Sequence, residues 1–157
     1  MGTYKIIGPL HPIYDKSIIV HRDEFDEILT LLRHGEYIIL NAPRQTGKTT
    51  LLFQVQEALR DEGMTAVYIN LEGRDSEGFY QDLCKDIARQ VDDVIESDET
   101  YSIKDIQNQI DFRKYLEWIA AYTPKVQRLV FLLDEVGGVP DEVHDPFFLG
   151  FRAARIN

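Results

Sequence analysis

Three short apolar runs constrain this chain more than any other feature. Tyr37-Ile38-Ile39-Leu40, Ala66-Val67-Tyr68-Ile69-Asn70-Leu71 and Leu129-Val130-Phe131-Leu132-Leu133 are nearly continuous and lack the alternation of a strand with one wet face. Strands covered by helices on both faces look like this. Between the runs the apolar residues change to helical spacing. Asp23 can cap a helix over 24–34, with Phe25, Ile28, Leu29 and Leu32 on one face and Gly35 after its end. Leu51, Leu52, Val55, Ala58 and Leu59 share one face over 49–62, closed by Gly63. Phe79, Leu83, Ile87 and Val91 recur at spacing four behind Ser76, which can cap a helix reaching about residue 94. Asp111 can cap 112–122, which Thr123-Pro124 stops. After a loop over 136–144, Asp145-Pro146 has the N-cap and first-turn proline pattern of a last helix. Residues 96–110 are polar, with Ile103, Ile106 and Ile110 scattered among charges, and take no assignment.

Strands alternating with helices predict a parallel sheet joined by right-handed crossovers. The expected fold class is α/β, a three-layer α/β/α arrangement over residues 18–157. Residues 1–17, with Gly8, Pro9 and Pro12, read as an extended arm, and Ile18-Ile19-Val20 as a short edge strand. Three sheet strands are few for such a fold, and the helical pattern still runs at Asn157; later strands are expected beyond it.

A length of 157 residues suffices for one domain with its own core. No apolar run approaches the ~20 residues that cross a bilayer, and the N-terminus leads into no signal core, so neither membrane insertion nor export is expected. Cys84 is the only cysteine; it lies in the apolar spacing of a helix, where it reads as core packing. One cysteine permits no internal disulfide and fits a reducing cytoplasm. The net charge of −10 argues against bare nucleic acid as the partner of this segment, because duplex binders draw most of their affinity from neutralising phosphates.

The first apolar run leads straight into Ala42-Pro43-Arg44-Gln45-Thr46-Gly47-Lys48-Thr49, and an amphipathic helix leads out. This fits G-x-x-x-x-G-K-[ST] with Ala42 in place of the first glycine, where a small residue is what the strand exit demands. At Gly47 a Cβ would obstruct a phosphate. Backbone N–H groups from Gln45 to Thr50 would form a concave anion site at a helix N-terminus. Lys48 would reach the β- and γ-phosphates, Thr49 would place its hydroxyl on Mg²⁺, and Thr50 would lie on the α-phosphate side. The bland alternative is a chance turn containing Gly-Lys-Thr; the strand before and the helix after favour the phosphate loop.

The third run ends in Asp134-Glu135, 85 residues after Thr49. Ligand sites of open parallel sheets lie outside the carboxyl ends of strands, where the two motifs would meet. There Asp134 can serve the Mg²⁺ shell while Glu135 orients or deprotonates an attacking water. On their own, two acids at a strand end are as well explained by solvation.

With these residues in view, the chain resembles the AAA-like ATPases of the additional-glutamate group, and looks closest to prokaryotic signalling (STAND-type) and archaeal-type members. Ile19-Val20-His21-Arg22-Asp23-Glu24-Phe25 is similar to their N-terminal element, although His21 stands where a glycine is usual. Residues 35–52 look like their Pro-Arg-Gln-x-Gly-Lys-[ST]-[ST]-Leu loop, and Leu132-Leu133-Asp134-Glu135-Val136, with Pro146-Phe147-Phe148 and Phe151-Arg152, looks like their second motif and following helix. The resemblance covers roughly residues 15–157. It implies ATP as the nucleotide, conformational work as the output, and a nucleotide contact for Arg22, whose alternative is a helix-start salt bridge. Arg44 would pair with an acid that braces the loop. The family's polar sensor, its arginine acting on a neighbour's ATP and its lid would all lie beyond Asn157, as would any contact making a homo-oligomer. Arg152 and Arg155 read as surface residues. Glu72 and Arg74, just past the second strand, sit at the active edge and read mostly as loop solvation.

Two functions follow from the same residues: an ATPase that couples hydrolysis to a conformational change in an unidentified protein partner, and a nucleotide-gated switch with little turnover. A relic scaffold and a small-molecule kinase are the remaining readings of a phosphate loop. Lacking an arginine in trans, this chain alone is expected to be at best a weak ATPase.

Overall fold

A computed structural model describes residues 23–33, 47–124 and 128–153. The arm at 1–17, the strands expected at 18–20 and 37–40, and Arg22, Ala42, Pro43, Arg44, Gln45, Thr46 and Arg155 lie outside the described residues. The elements are α1 (Asp23–Arg33), α2 (Lys48–Asp61), β1 (Thr65–Asn70), α3 (Phe79–Val91), α4 (Gln109–Tyr122), β2 (Leu129–Asp134) and α5 (Asp141–Ala153), with 3₁₀ turns at Ile103–Asp105 and Val136–Gly138.

β1 and β2 are parallel, with Thr65 opposite Leu129 and Asn70 opposite Asp134. Parallel neighbours need a long crossover, here filled by α3 and α4. Side chains alternate across the pleat. Ala66, Tyr68, Val130 and Leu132 meet Ile28 and Leu29 of α1 and Leu51, Leu52, Val55 and Leu59 of α2. Val67, Ile69, Phe131 and Leu133 meet the apolar faces of α3, α4 and α5. Both faces of the strand pair are therefore covered, which is why its apolar runs are continuous. Each fully buried Leu, Ile or Phe here contributes roughly 1.5–3 kcal/mol. Cys84 is fully buried among these residues, as its helical spacing predicts.

Among the described residues no strand pairs with the other edge of β1, and a side chain occupies it locally. Tyr68 N–H donates to Gln90 Oε1 at 2.9 Å, and Gln90 Nε2 donates to Tyr68 O at 2.8 Å. One amide from α3 so satisfies both main-chain groups that a further strand would otherwise pair.

Several boundaries differ from the sequence expectation. Asn108, not Asp111, caps α4: its side chain accepts from Ile110 N and Asp111 N. Asp111 instead reaches back to accept from the N–H of Gln107, the residue before the cap, at 3.1 Å. Ser76 makes no side-chain cap to α3, which starts at Phe79 behind a left-handed Gly78. In the unassigned stretch Ile106 is buried against the large core while Ile110 is exposed. The largest difference is α5, which begins at Asp141 and holds Pro146 inside it. An interior proline forfeits a helical hydrogen bond at about 3 kcal/mol. Val139 and Phe147 are buried and Val143 packs against the same core, so burial at spacing four outweighs the break.

Candidate functional site

At the start of α2, Gly47 has φ 80°, a left-handed conformation that suits glycine, and Leu51 N–H donates to its carbonyl at 2.9 Å. This turn launches Lys48 and Thr49 from the first turn of α2 toward the carboxyl end of β2. There they meet Asp134, which is only 1% exposed. Thr49 Oγ1 donates to Asp134 Oδ2 at 2.6 Å, and Lys48 Nζ lies 3.9 Å from Oδ1. Glu135 N–H donates to Oδ1 at 2.9 Å, and the hydroxyl of Tyr68, one strand over, donates to Oδ2 at 2.8 Å. A buried carboxylate is costly unless it is paired and hydrogen-bonded, and here both oxygens are engaged.

Tyr68 carries the electrostatic signature of this cluster. Its phenol is pushed well above the usual range, first by burial, then by the Asp134 hydrogen bond, with the Asp134 and Glu135 carboxylates adding to the push. It therefore stays a proton donor.

Glu135 departs from the strand. It has φ 53° and ψ 48°, left-handed values that are uncommon outside glycine. Simple alternation would send its side chain to the face opposite Asp134. The left-handed turn breaks that alternation, and the Glu135 carboxylate is among the charges that raise the Tyr68 phenol. The following 3₁₀ turn is held close: a Cβ on Gly138 would lie 2.7 Å from Glu72 Cα and 3.0 Å from Leu71 O. The loops after β1 and β2 therefore touch through a position that has room only for glycine.

Thr50 also begins α2 and is half-buried. Glu72 is exposed, whereas Arg74 is occupied: its Nε donates to Asn70 O at 2.9 Å and its Nη2 pairs with Asp86. A cleft of about 430 Å³ opens there, lined by Asn70, Glu72, Arg74, Lys85 and neighbouring residues rather than by Asp134. Arg74 thus braces the loop after β1.

The candidate ligand set is oxygen-based: the Asp134 carboxylate and the Thr49 hydroxyl. That suits Mg²⁺, which takes one or two protein oxygens and completes its shell with water and phosphate. Among the described residues no three His, Cys, Asp or Glu side chains gather into a metal-holding group. Likewise, no described helix is long and apolar enough to cross a membrane.

Glu135 was a sequence candidate, but its left-handed backbone was not foreseen, and Tyr68 was not among the candidates. Tyr68 is an apolar-run residue in the sequence, and only the strand register places it beside Asp134. No curated protein and no solved structure matches the chain. A family model described as an AAA-like domain matches residues 12–153, almost the whole length. A glycine-led helix meeting a strand-end carboxylate is the arrangement that a nucleotide-binding domain of this kind requires, and the chain belongs to the AAA-like domain family.

Proposed function

We propose that this chain is a three-layer phosphate-loop domain that binds ATP with Mg²⁺ and hydrolyses it, coupling nucleotide state to a conformational change in a partner protein. One observation carries the reading: the 2.6 Å hydrogen bond from Thr49 to Asp134 joins two motifs 85 residues apart at one point. In this reading Lys48 exchanges its contact with Asp134 for the β- and γ-phosphates. Thr49 and Asp134 hold Mg²⁺, Thr50 lies toward the α-phosphate, and Glu135 orients the attacking water. Bound Mg²⁺ neutralises charge on the β- and γ-oxygens. Residues 42–46 and Arg22 are assigned to the nucleotide site, with Arg44 bracing the loop through an acid. The additional-glutamate, STAND-type affiliation is part of the same proposal, supported by Glu135 beside Asp134.

The left-handed turn at Glu135 supports hydrolysis over mere holding, since it keeps a second carboxylate near the site at a conformational cost. Such outliers gather where strain serves a function. Calorimetric titration with ATP and Mg²⁺ tests the binding, with Lys48→Ala as matched control. Saturable binding that the variant loses is the expected result; a folded chain that binds nothing sinks the proposal. Turnover is tested with Glu135→Gln, which should bind as before and lose about 10²-fold or more in rate. Binding without measurable turnover in the parent chain would leave the nucleotide-gated switch as the better description.

A further inference from the structure

Tyr68 belongs to neither sequence motif, yet three elements determine where it sits. Gln90 of α3 holds its main chain by two hydrogen bonds. Phe53 of α2 lies against its ring, with centroids 4.7 Å apart. Its hydroxyl ends on Asp134 Oδ2 at 2.8 Å, the same oxygen that accepts from Thr49 at 2.6 Å. Phenylalanine would fill the same space between sheet and α2. The hydroxyl is therefore the part of this side chain that packing does not explain.

We propose that Tyr68 is a positioning residue for Asp134, its hydroxyl fixing the carboxylate so that the site takes up Mg²⁺ together with ATP. The proposal rests on the function given above and deepens it. Of the two hydroxyls on Oδ2, that of Thr49 is assigned to the cation itself. With Lys48 assigned to the phosphates, Tyr68 is the side-chain donor left among the described residues to orient the carboxylate, while the Glu135 N–H holds the other oxygen from the main chain at 2.9 Å. Hydrogen bonds of this kind, one shell out from a metal, orient the ligand, and their removal typically lowers metal affinity by about 10–100-fold. In this scheme the Tyr68 hydroxyl acts through Asp134 and the cation, so nucleotide alone should bind equally well without it.

The test is calorimetry on the 157-residue chain with a non-hydrolysable ATP analogue, once with Mg²⁺ and once with EDTA. Tyr68→Phe should bind the analogue in EDTA as the parent chain does. In Mg²⁺ it should bind about 10-fold more weakly, with a melting midpoint lowered less than by Tyr68→Leu. An undiminished affinity in Mg²⁺ overturns the proposal, and so does an equal loss under both conditions. Tyr68→Leu, which removes the ring as well, gives the pattern of plain structural damage: a lower midpoint and weaker binding in both. A parent chain that binds the analogue under neither condition removes the proposed function itself. Parent binding that Lys48→Ala abolishes and Tyr68→Phe leaves intact removes only the role of Tyr68.

Discussion

Toward α3, α4 and α5 the core is built around a cluster of rings, whereas toward α1 and α2 the sheet is covered mainly by aliphatic side chains and ends in a buried carboxylate. On the first face Phe79, Tyr80, Phe112 and Phe147 meet at centroid separations of 5.3–5.8 Å, with the Phe79–Tyr80 and Phe79–Phe147 pairs edge to face. Aromatic pairs at such angles add about 0.5–1.5 kcal/mol each beyond the area they bury. On the second face Leu51, Leu52, Val55 and Leu59 pack α2 down, and its N-terminus delivers Lys48 and Thr49 to Asp134. The ring-filled face is nearly free of polar demands; the other keeps a carboxylate out of water with several donors. Stability and the polar cluster are thus concentrated on opposite sides of two strands, and substitutions can address them separately.

Phe147→Ala should separate them most widely. The ring is fully buried, and its loss should cost about 3–5 kcal/mol in urea denaturation. The fraction still folded should bind nucleotide with the parent affinity; a parallel fall in affinity would mean that the two faces are not independent. Gly138→Ala joins them instead. Its Cβ would press on the Leu71–Glu72 backbone, so about 1–3 kcal/mol of stability should go, and turnover should fall with it as Glu135 is displaced. Unchanged turnover would uncouple that loop contact from Glu135.

Glu135→Gly should have the opposite pair of signs. A left-handed non-glycine residue costs about 1–2 kcal/mol, partly offset by glycine's greater freedom when unfolded, so the denaturation free energy should rise by about 0.5–1 kcal/mol. Hydrolysis should disappear. A destabilised variant would show that the Glu135 side chain contributes to the fold as well.

The smallest effect belongs to the ring-filled face. The Tyr80 hydroxyl is buried with no hydrogen-bond partner among the described residues, and burial pushes its phenol up to about 12. Tyr80→Phe should be neutral or stabilising by up to about 1 kcal/mol. Because the folded pKa lies above the unfolded value near 10, the stability tied to this proton is complete below about pH 10 and is lost as pH rises toward 12. Alkaline denaturation curves of the variant should be flatter across that window. A variant as steep as the parent would place the titration on another group.

The strand runs and helical faces were legible because burial on two sides leaves a pattern in neighbouring residues. The observed β1 and β2 each lie within one residue of the expected runs. Helix starts were less legible. Asn108, Asp111 and Ser76 are all capping types, and which one caps depends on where the apolar face meets the core. Pro146 reads as a helix start in isolation, yet Val139, Val143 and Phe147 draw the helix upstream of it, because a distant core rewards their burial.

By itself, the sequence determined the α/β class, the covered faces of the two described strands and the residues brought to the carboxyl end of β2, since each follows from local pattern and spacing. Tertiary structure alone decided that Tyr68 would place its hydroxyl on Asp134, that Gln90 would close the edge of β1, and that Glu135 would turn left-handed beside a loop packed against Gly138. Those contacts join residues from separate elements. Strand register and close backbone approach create them, and no local pattern encodes either.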